Sequence, residues 1–326
     1  LRKRGKSFKV ISNSSQQASV VASGLYNPVV LKRLKKAWNA DAQLPLALST
    51  YKDLEIFLGI KVDYQLPIYR VFHAVDEQNN WFLACDKPDL QPFLIPKVIN
   101  NNNTNINAPF GYGEVKQTGR VDTKLLTESY VSNLKSNGLY LEETFNYEAL
   151  DLQMGVNYKG LFAKQLIFAE GFGLKQNPFF NKLPLEGTKG ELMLIHAPDL
   201  NSKVILKSSV FVIPIRFDKY LVGSTYAWKD YTNIPTESAR TSIINKLQRL
   251  LNCSFQILQH HAGIRPTVID RRPLVGQHRV QNNLYILNGL GSRGVLIAPT
   301  VAKNLIDFIE DGIQLSKDID INRFST

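Results

Sequence analysis

Apolar positions along this chain follow two different periods. From Ala40 to Leu58 they recur at helical spacing (Leu44, Leu48, Tyr51, Leu54, Leu58) and stop at Gly59, which predicts one helix. A second helix is predicted from Asp122 through Leu134, with Gly138 as its stop. Asp122 suits the cap because a short side-chain oxygen accepts a free backbone N–H. Thr236 to Leu251, entered through Pro235, and Val295 to Glu310 complete the helices. Pro299 falls in the early turns of the last one, where proline is tolerated. Other apolar runs are short. Phe8–Ile11, Leu166–Ala169 and Leu284–Leu287 are short apolar runs suited to buried parallel strands. Gly190–Ile195, Val204–Ile205, Val210–Ile215 and Tyr220–Thr225 follow one another as a mostly antiparallel series. Ile68 to Leu83 predicts a hairpin, and Leu139 to Leu152 predicts further strands. Gly24 to Pro28 reads as a turn, and the asparagine-rich stretch Asn100–Asn107 as a loop closed off by Gly111–Gly113.

This order puts strand–helix segments at both ends and an antiparallel middle between them. The predicted fold class is α/β plus α+β: a discontinuous Rossmann-like nucleotide-binding domain with an inserted, mostly antiparallel β-sheet domain. Residues 1–65, 110–185 and 260–326 are assigned to the first domain; residues 66–109 and 186–259 are assigned to the second. Leu1–Gly5 has the basic residues and glycine of a last helical turn, so the chain is expected to start partway through a strand–helix unit.

Composition narrows the chemistry only a little. A chain of 326 residues with 44% hydrophobic and 21% charged residues suits two folded domains. The net charge of +11 fits either a solubilising basic surface or attraction to an anion such as a dinucleotide, a carboxylate, RNA or a membrane. The basic runs Arg2–Lys6 and Lys32–Lys36 are short, and no RNA-recognition motif accompanies them. Two cysteines, Cys85 and Cys253, allow neither a CxxC motif nor a disulfide framework. His73, His196 and His278 show no metal-ligand spacing, so no metal is expected. No apolar run approaches the ~20 residues of a membrane span. With no signal-peptide core behind the basic N-terminus, a cytoplasmic location is the expectation.

Two segments carry candidate chemistry. In the first, strand Leu284–Leu287 runs into Asn288-Gly289-Leu290-Gly291-Ser292-Arg293-Gly294 and then a helix. Glycines at such a junction let backbone N–H groups approach a ligand, and the helix N-terminus favours an anion. A tight turn with no ligand would look the same. In the second, Gly263-Ile264-Arg265-Pro266 brackets an arginine between conformationally special residues, which suits bidentate recognition of a carboxylate. The alternative is a structural arginine that caps a strand or pairs with Asp270. His260-His261 suggest a base, but strand-end packing is the preferred reading.

Together with Asp270-Arg271-Arg272-Pro273-Leu274-Val275-Gly276 and Ala298-Pro299, these segments resemble the C-terminal part of the D-amino-acid oxidase superfamily of FAD-dependent oxidoreductases, most closely its glycine oxidase-like branch. Upstream, Ala18–Leu25 resembles the family's serine/alanine-rich segment, Leu166–Gly171 its strand ending in glycine, and Lys189-Gly190-Glu191 its "RGE" turn. The resemblance implies FAD as cofactor and a small amine or amino-acid substrate oxidised at its C–N bond. It implies that Gly24 and Leu25 lie at the flavin ring, and Ser19 and Ala22 along the pyrophosphate and ribityl. Asn146, Tyr147 and Gly171 would be on the adenosine side. Gly291, Ser292, Arg293, Gly294, Val295 and Leu296 would hold the pyrimidine end. Arg265 would bind the substrate carboxylate. Phe211 stands where relatives often carry a substrate-binding tyrosine, and lacks its phenol. Ser12 replaces the acidic residue that usually bonds the adenosine ribose, and the family's GxGxxG turn is not in this sequence. Two other readings stay open: a flavin-dependent RNA-modifying amine oxidase, for which +11 would suit an RNA partner, and a truncated relative without activity.

Overall fold

The Ala40–Leu58 helix forms over the predicted residues and ends at Gly59. Its buried Leu44, Ala47 and Tyr51 join the largest core cluster, and the helix packs on the last long one, Gly294–Asp311. The computed structural model describes residues 1–324. Thr123–Ser136 is capped as expected, Asp122 accepting from the Leu125 N–H. Glu237–Leu250 is capped by the Thr236 hydroxyl.

Among the described residues the largest sheet runs in the order Ala227–Trp228, Leu185–His196, Lys219–Gly223, Phe211–Pro214, Ile205–Lys207, Ile68–Val71, Tyr112–Val115, Leu94–Ile99. Gln256–Val268 pairs with the outer side of Leu185–His196. Every pairing is antiparallel except Ile205–Lys207 with Ile68–Val71. Side chains alternate between the two faces. Met193, Val212 and Val222 therefore pack under the helix Glu237–Leu250, while Leu192, Phe211 and Gly223 face the other way. Two small sheets stand apart from it. Val10–Ser12 pairs in parallel with Tyr140–Glu142; Leu166–Phe168 pairs in parallel with Leu284–Asn288, which takes Leu274–Gln277 antiparallel.

Several expectations need correction. Residues 75–85 form a helix, Val75–Cys85, rather than half of a hairpin. Trp81, Ala84 and Cys85 lie on one buried face at helical spacing, and the Trp81 ring is fully buried against Phe72, its N–H bonded to Ile95 O at 2.9 Å. The turn expected at 24–28 contains the short strand Leu25–Tyr26, paired with Gly119–Arg120, because buried Tyr26 donates to Asp63 at 2.9 Å. The first strand is Val10–Ser12, half-buried throughout rather than buried. Ala18–Val21 is a helical turn that the polar sequence did not signal. Between 139 and 152 only Tyr140–Glu142 and Leu150–Asp151 are strands, with a 3₁₀ turn at Tyr147–Ala149. Strands Tyr112–Val115 and Gln256–Val268 belong to the large sheet, so divisions at 109/110 and 259/260 cut across that sheet's membership. Among the described residues no helix is long and apolar enough to cross a membrane.

Candidate functional site

A cavity of about 2060 Å³ lies between the inner face of the large sheet and the two small parallel sheets. Arg265 occupies one end of it. In the ladder Thr188 faces Arg265 and Gly190 faces Gly263. The guanidinium lies across Gly190: a Cβ there would come within 1.9 Å of Arg265 Nη2. Nη2 donates to Ser224 Oγ at 2.8 Å and Nη1 to Thr225 O at 3.3 Å, and the Tyr226 ring stacks 4.5 Å from the guanidinium carbon. Asp270, the alternative partner, instead pairs with Arg323 at 2.7 Å. Arg265 therefore has only neutral hydrogen-bond partners among the described residues. Burial pushes its pKa down, opposed by Tyr226. A buried cation held by neutral acceptors favours an incoming anion.

The floor at this end is one register row. Leu192 faces Gly223, Gly223 faces Phe211, and Phe211 faces Lys207. Lys207 Nζ lies 4.8 Å over the Phe211 ring. Burial, reinforced by Arg70 and Lys246, pushes the Lys207 ammonium down to about 8.

The segment 224–236 meets Arg265 through Ser224, Thr225 and Tyr226, pairs with the large sheet at Ala227–Trp228, and is then held on the opposite face of that sheet. Fully buried Lys189 donates to Asp230 at 2.7 Å, to Thr232 Oγ1 at 3.2 Å and to Ile234 O. Buried Glu191 accepts from the Thr236 N–H at 2.9 Å and its hydroxyl at 2.8 Å. Glu191 Oε2 is also 2.9 Å from His260 Nε2. Burial outweighs that carboxylate and lowers the His260 pKa. His260 and His261 lie outside the cavity lining, in keeping with a packing role.

At the cavity's middle, the 3₁₀ turn Gly291–Arg293 leads into Gly294–Asp311, a helix whose N-terminus has no side-chain cap. Gly291 adopts φ 56° with open space where a Cβ would stand. Tyr51 donates to Val295 O at 2.7 Å and fixes this turn against the Ala40–Leu58 helix. The Ala18–Val21 turn approaches from the opposite side, its Ala18 Cα 3.3 Å from the place a Cβ of Gly263 would take. The far end is polar: Tyr147 donates to Glu170, which also accepts from Asn177 Nδ2 at 2.7 Å.

Of the residues singled out in the sequence, Ser12, Ser19, Ala22, Gly24, Leu25, Tyr147, Gly171, Phe211, Arg265 and Gly291 through Val295 line this one cavity. Two do not. The Asn146 side chain is occupied in capping the next turn, accepting from the Glu148 N–H at 3.0 Å. Leu296 is buried in the core. Sequence reasoning missed Lys207, Ser224, Tyr226 and Glu170. Lys207 left one trace, a lysine closing the apolar run from Val204.

Comparison with known proteins follows the same line. Residues 1–308 match the family described as FAD dependent oxidoreductase (DAO), and the chain belongs to that family. Glycine oxidase from Bacillus subtilis (strain 168) is 23% identical over 156 residues, which are 46% of this chain and 42% of that protein. Glycine oxidase from Pseudomonas putida is 29% identical over 133 residues, 39% of this chain and 36% of that protein. These matches span about two-fifths of the curated relatives' length. Among solved structures, glycine oxidase from Bacillus cereus ATCC 14579 superimposes with a TM-score of 0.76 at 20% identity, covering 96% of this chain and 91% of that one. Iminodiacetate oxidase from Chelativorans sp. BNC1 gives 0.77 at 15% identity, covering 98% and 94%. The shared fold includes the large antiparallel sheet beside strand–helix segments.

FAD is the family's cofactor, and the residues present fit it. The cavity exceeds the roughly 300–1,000 Å³ of an ordinary small-ligand cleft, leaving room for a dinucleotide and a substrate. It is long, running from the Tyr147–Glu170 pair past the uncapped helix at Gly294 to Arg265. Open space over Gly291 and bare amides at that helix suit the close approach of an electron-rich ring edge.

Proposed function

We propose that this chain forms the cofactor and substrate sites of an FAD-dependent enzyme that oxidises the C–N bond of an amino acid or secondary amine. The observation that carries the reading is Arg265: a part-buried guanidinium with only neutral hydrogen-bond partners among the described residues, at the end of a dinucleotide-sized cavity. Bound FAD supplies the hydride acceptor for the carbon next to nitrogen. Arg265 takes the substrate carboxylate and so orients that carbon. Tyr226, stacked on Arg265, covers the ion pair from above, and Phe211 supplies an apolar floor that excludes water. The amides of Gly294 and Val295, with the helix behind them, face the pyrimidine edge, while Gly24, Leu25, Ser19 and Ala22 form the opposing wall. Ser12, Tyr147 and Gly171 serve the adenosine end.

The test is Arg265→Met in the FAD-loaded, full-length protein, assayed with N-methylglycine. KM is expected to rise about 10- to 100-fold, from the loss of a charge-assisted pair worth roughly 1.5–3 kcal/mol. An unchanged KM overturns the carboxylate role. A second reading, action on an amine carried by RNA, is favoured by the +11 charge and by the match to the tRNA-modifying bifunctional protein MnmC of Idiomarina loihiensis, 26% identical over 129 residues. It predicts tRNA binding that weakens steeply with salt; no binding at low salt removes it.

A further inference from the structure

Besides Arg293 at the entry to the last helix, the cavity lining holds another part-buried cation, Lys207, that the carboxylate-reading role of Arg265 leaves unused. Lys207 reaches in from the strand Ile205–Lys207 and lies over the Phe211 ring. Its only hydrogen bond is to the neighbouring carbonyl of Ser208, and among the described residues it makes no ion pair. The groups around it deepen the imbalance. Arg70 stands directly opposite Lys207 in the sheet register. One terminal nitrogen of Arg70, Nη1, is buried without a hydrogen bond, and its Nη2 has only a loose 3.9 Å approach to Glu77. His73, on the segment after that strand, bonds the Ser208 hydroxyl at 3.1 Å. Lys246 adds positive potential from the helix beyond the sheet. Burial and these two neighbouring cations push the Lys207 ammonium down to about 8, the response of a cation lacking an anion.

Position makes this potential relevant to substrate. The Arg265 guanidinium lies over Gly190 and Ser224, whereas the Lys207 ammonium lies over Phe211, one strand beyond Ser224 and two beyond Gly190, and one to two residues along. Strand spacing and residue rise put the two cations roughly 10 Å apart. A short amine with a carboxylate at each end can span that gap and leave its central C–N bond over the apolar floor between Leu192 and Phe211.

We infer that Lys207, backed by Arg70, is a specificity-determining site for a second carboxylate, so that the preferred substrate is a dicarboxylic amine or amino acid. This rests on the C–N oxidation reading, and the test separates the two. The FAD-loaded full-length protein is titrated calorimetrically with glutarate and with butyrate, inert probes that share a chain and differ by one carboxylate. Glutarate is expected to bind at least ten-fold more tightly than butyrate. Lys207→Met is expected to cut that ratio to about two or below, and Arg265→Met to weaken both probes. A wild-type ratio near one overturns the site, as does a ratio that a folded Lys207→Met protein preserves. Lys207→Gln serves as the second variant if the first fails to fold. If N-methylglycine is still oxidised while the ratio is flat, only the second-carboxylate site fails. If neither probe binds and no amine is oxidised, the reading beneath it fails as well.

Discussion

Gly190→Ala is a clean perturbation of the candidate site because it moves one functional group and little else. A methyl at 190 would meet Arg265 Nη2 at 1.9 Å, Cζ at 2.2 Å and Nη1 at 2.4 Å. All three atoms belong to the free end of a long side chain, so the guanidinium moves and the backbone stays. Reaching ordinary contact requires a shift of about 1.5 Å, which breaks the 2.8 Å bond to Ser224 and the stacking on Tyr226. The fold itself loses nothing obvious, since alanine in a strand is easier than glycine by roughly 0.5–1 kcal/mol. A misplacement of about 1 Å in a positioning group can cost about 100-fold in rate. Losing one charge-assisted hydrogen bond, at roughly 1.5–3 kcal/mol, gives about 10- to 100-fold in kcat/KM. The assay is steady-state oxidation of N-methylglycine by the FAD-loaded protein, paired with a thermal melt. The expected result is a 10- to 100-fold fall in kcat/KM, expressed mainly in KM, with Tm unchanged or slightly raised. A kcat/KM within two-fold of wild type refutes the assignment of Arg265, because the three atoms nearest that methyl all belong to it. A large drop in Tm refutes the claim that the clash is absorbed by the side chain.

Two further predictions concern the segment that leads away from Tyr226. Lys189→Met leaves buried Glu191 and the Asp230 carboxylate without their shared cation, and breaking a buried pair of this kind costs about 3–5 kcal/mol; a denaturant melt should show it, and protease cleavage within 224–236 should quicken. Acid should loosen the same segment. Lys189, followed by the Thr232 N–H and hydroxyl, holds the Asp230 carboxyl down at about 2, below its ordinary ~3.9, so its contribution is complete above pH ~4 and is lost as pH falls toward 2. Pepsin cleavage at 224–236 should rise across that window in the wild type and be flat across it in Asp230→Asn.

What the sequence disclosed and what it hid divide by range. The Leu284–Asn288 strand, its glycine turn and the following helix are local, and each was legible from spacing and glycine placement. Arg265 was legible because Gly263 and Pro266 are unusual neighbours for a buried cation. The strand that carries it, Gln256–Val268, was not, because the same two residues break the alternation that marks strands. Among the described residues no strand pairs with its outer edge, which is where proline is tolerated, and its stability comes from pairing with Leu185–His196 far upstream. Lys207 and Tyr226 were invisible for a related reason. Lys207 sits on a strand positioned by its pairing with Ile68–Val71 far upstream, and Tyr226 meets Arg265 across some forty residues. The helix Val75–Cys85 was missed because its buried face is only Trp81, Ala84 and Cys85, too few positions to outweigh the apolar run around Ile68.

The strand Gln256–Val268 is also a measuring rod. Gly263, pressed against the Ala18–Val21 turn, and Arg265, the proposed carboxylate anchor, are two residues apart on its one face. Their separation is thus one pleat repeat, about 7 Å, fixed by covalent geometry instead of by the packing of two domains. Evolution could resize the substrate through the floor or the far cation, but not by sliding the anchor: a single inserted residue would turn Arg265 to the opposite face of the sheet.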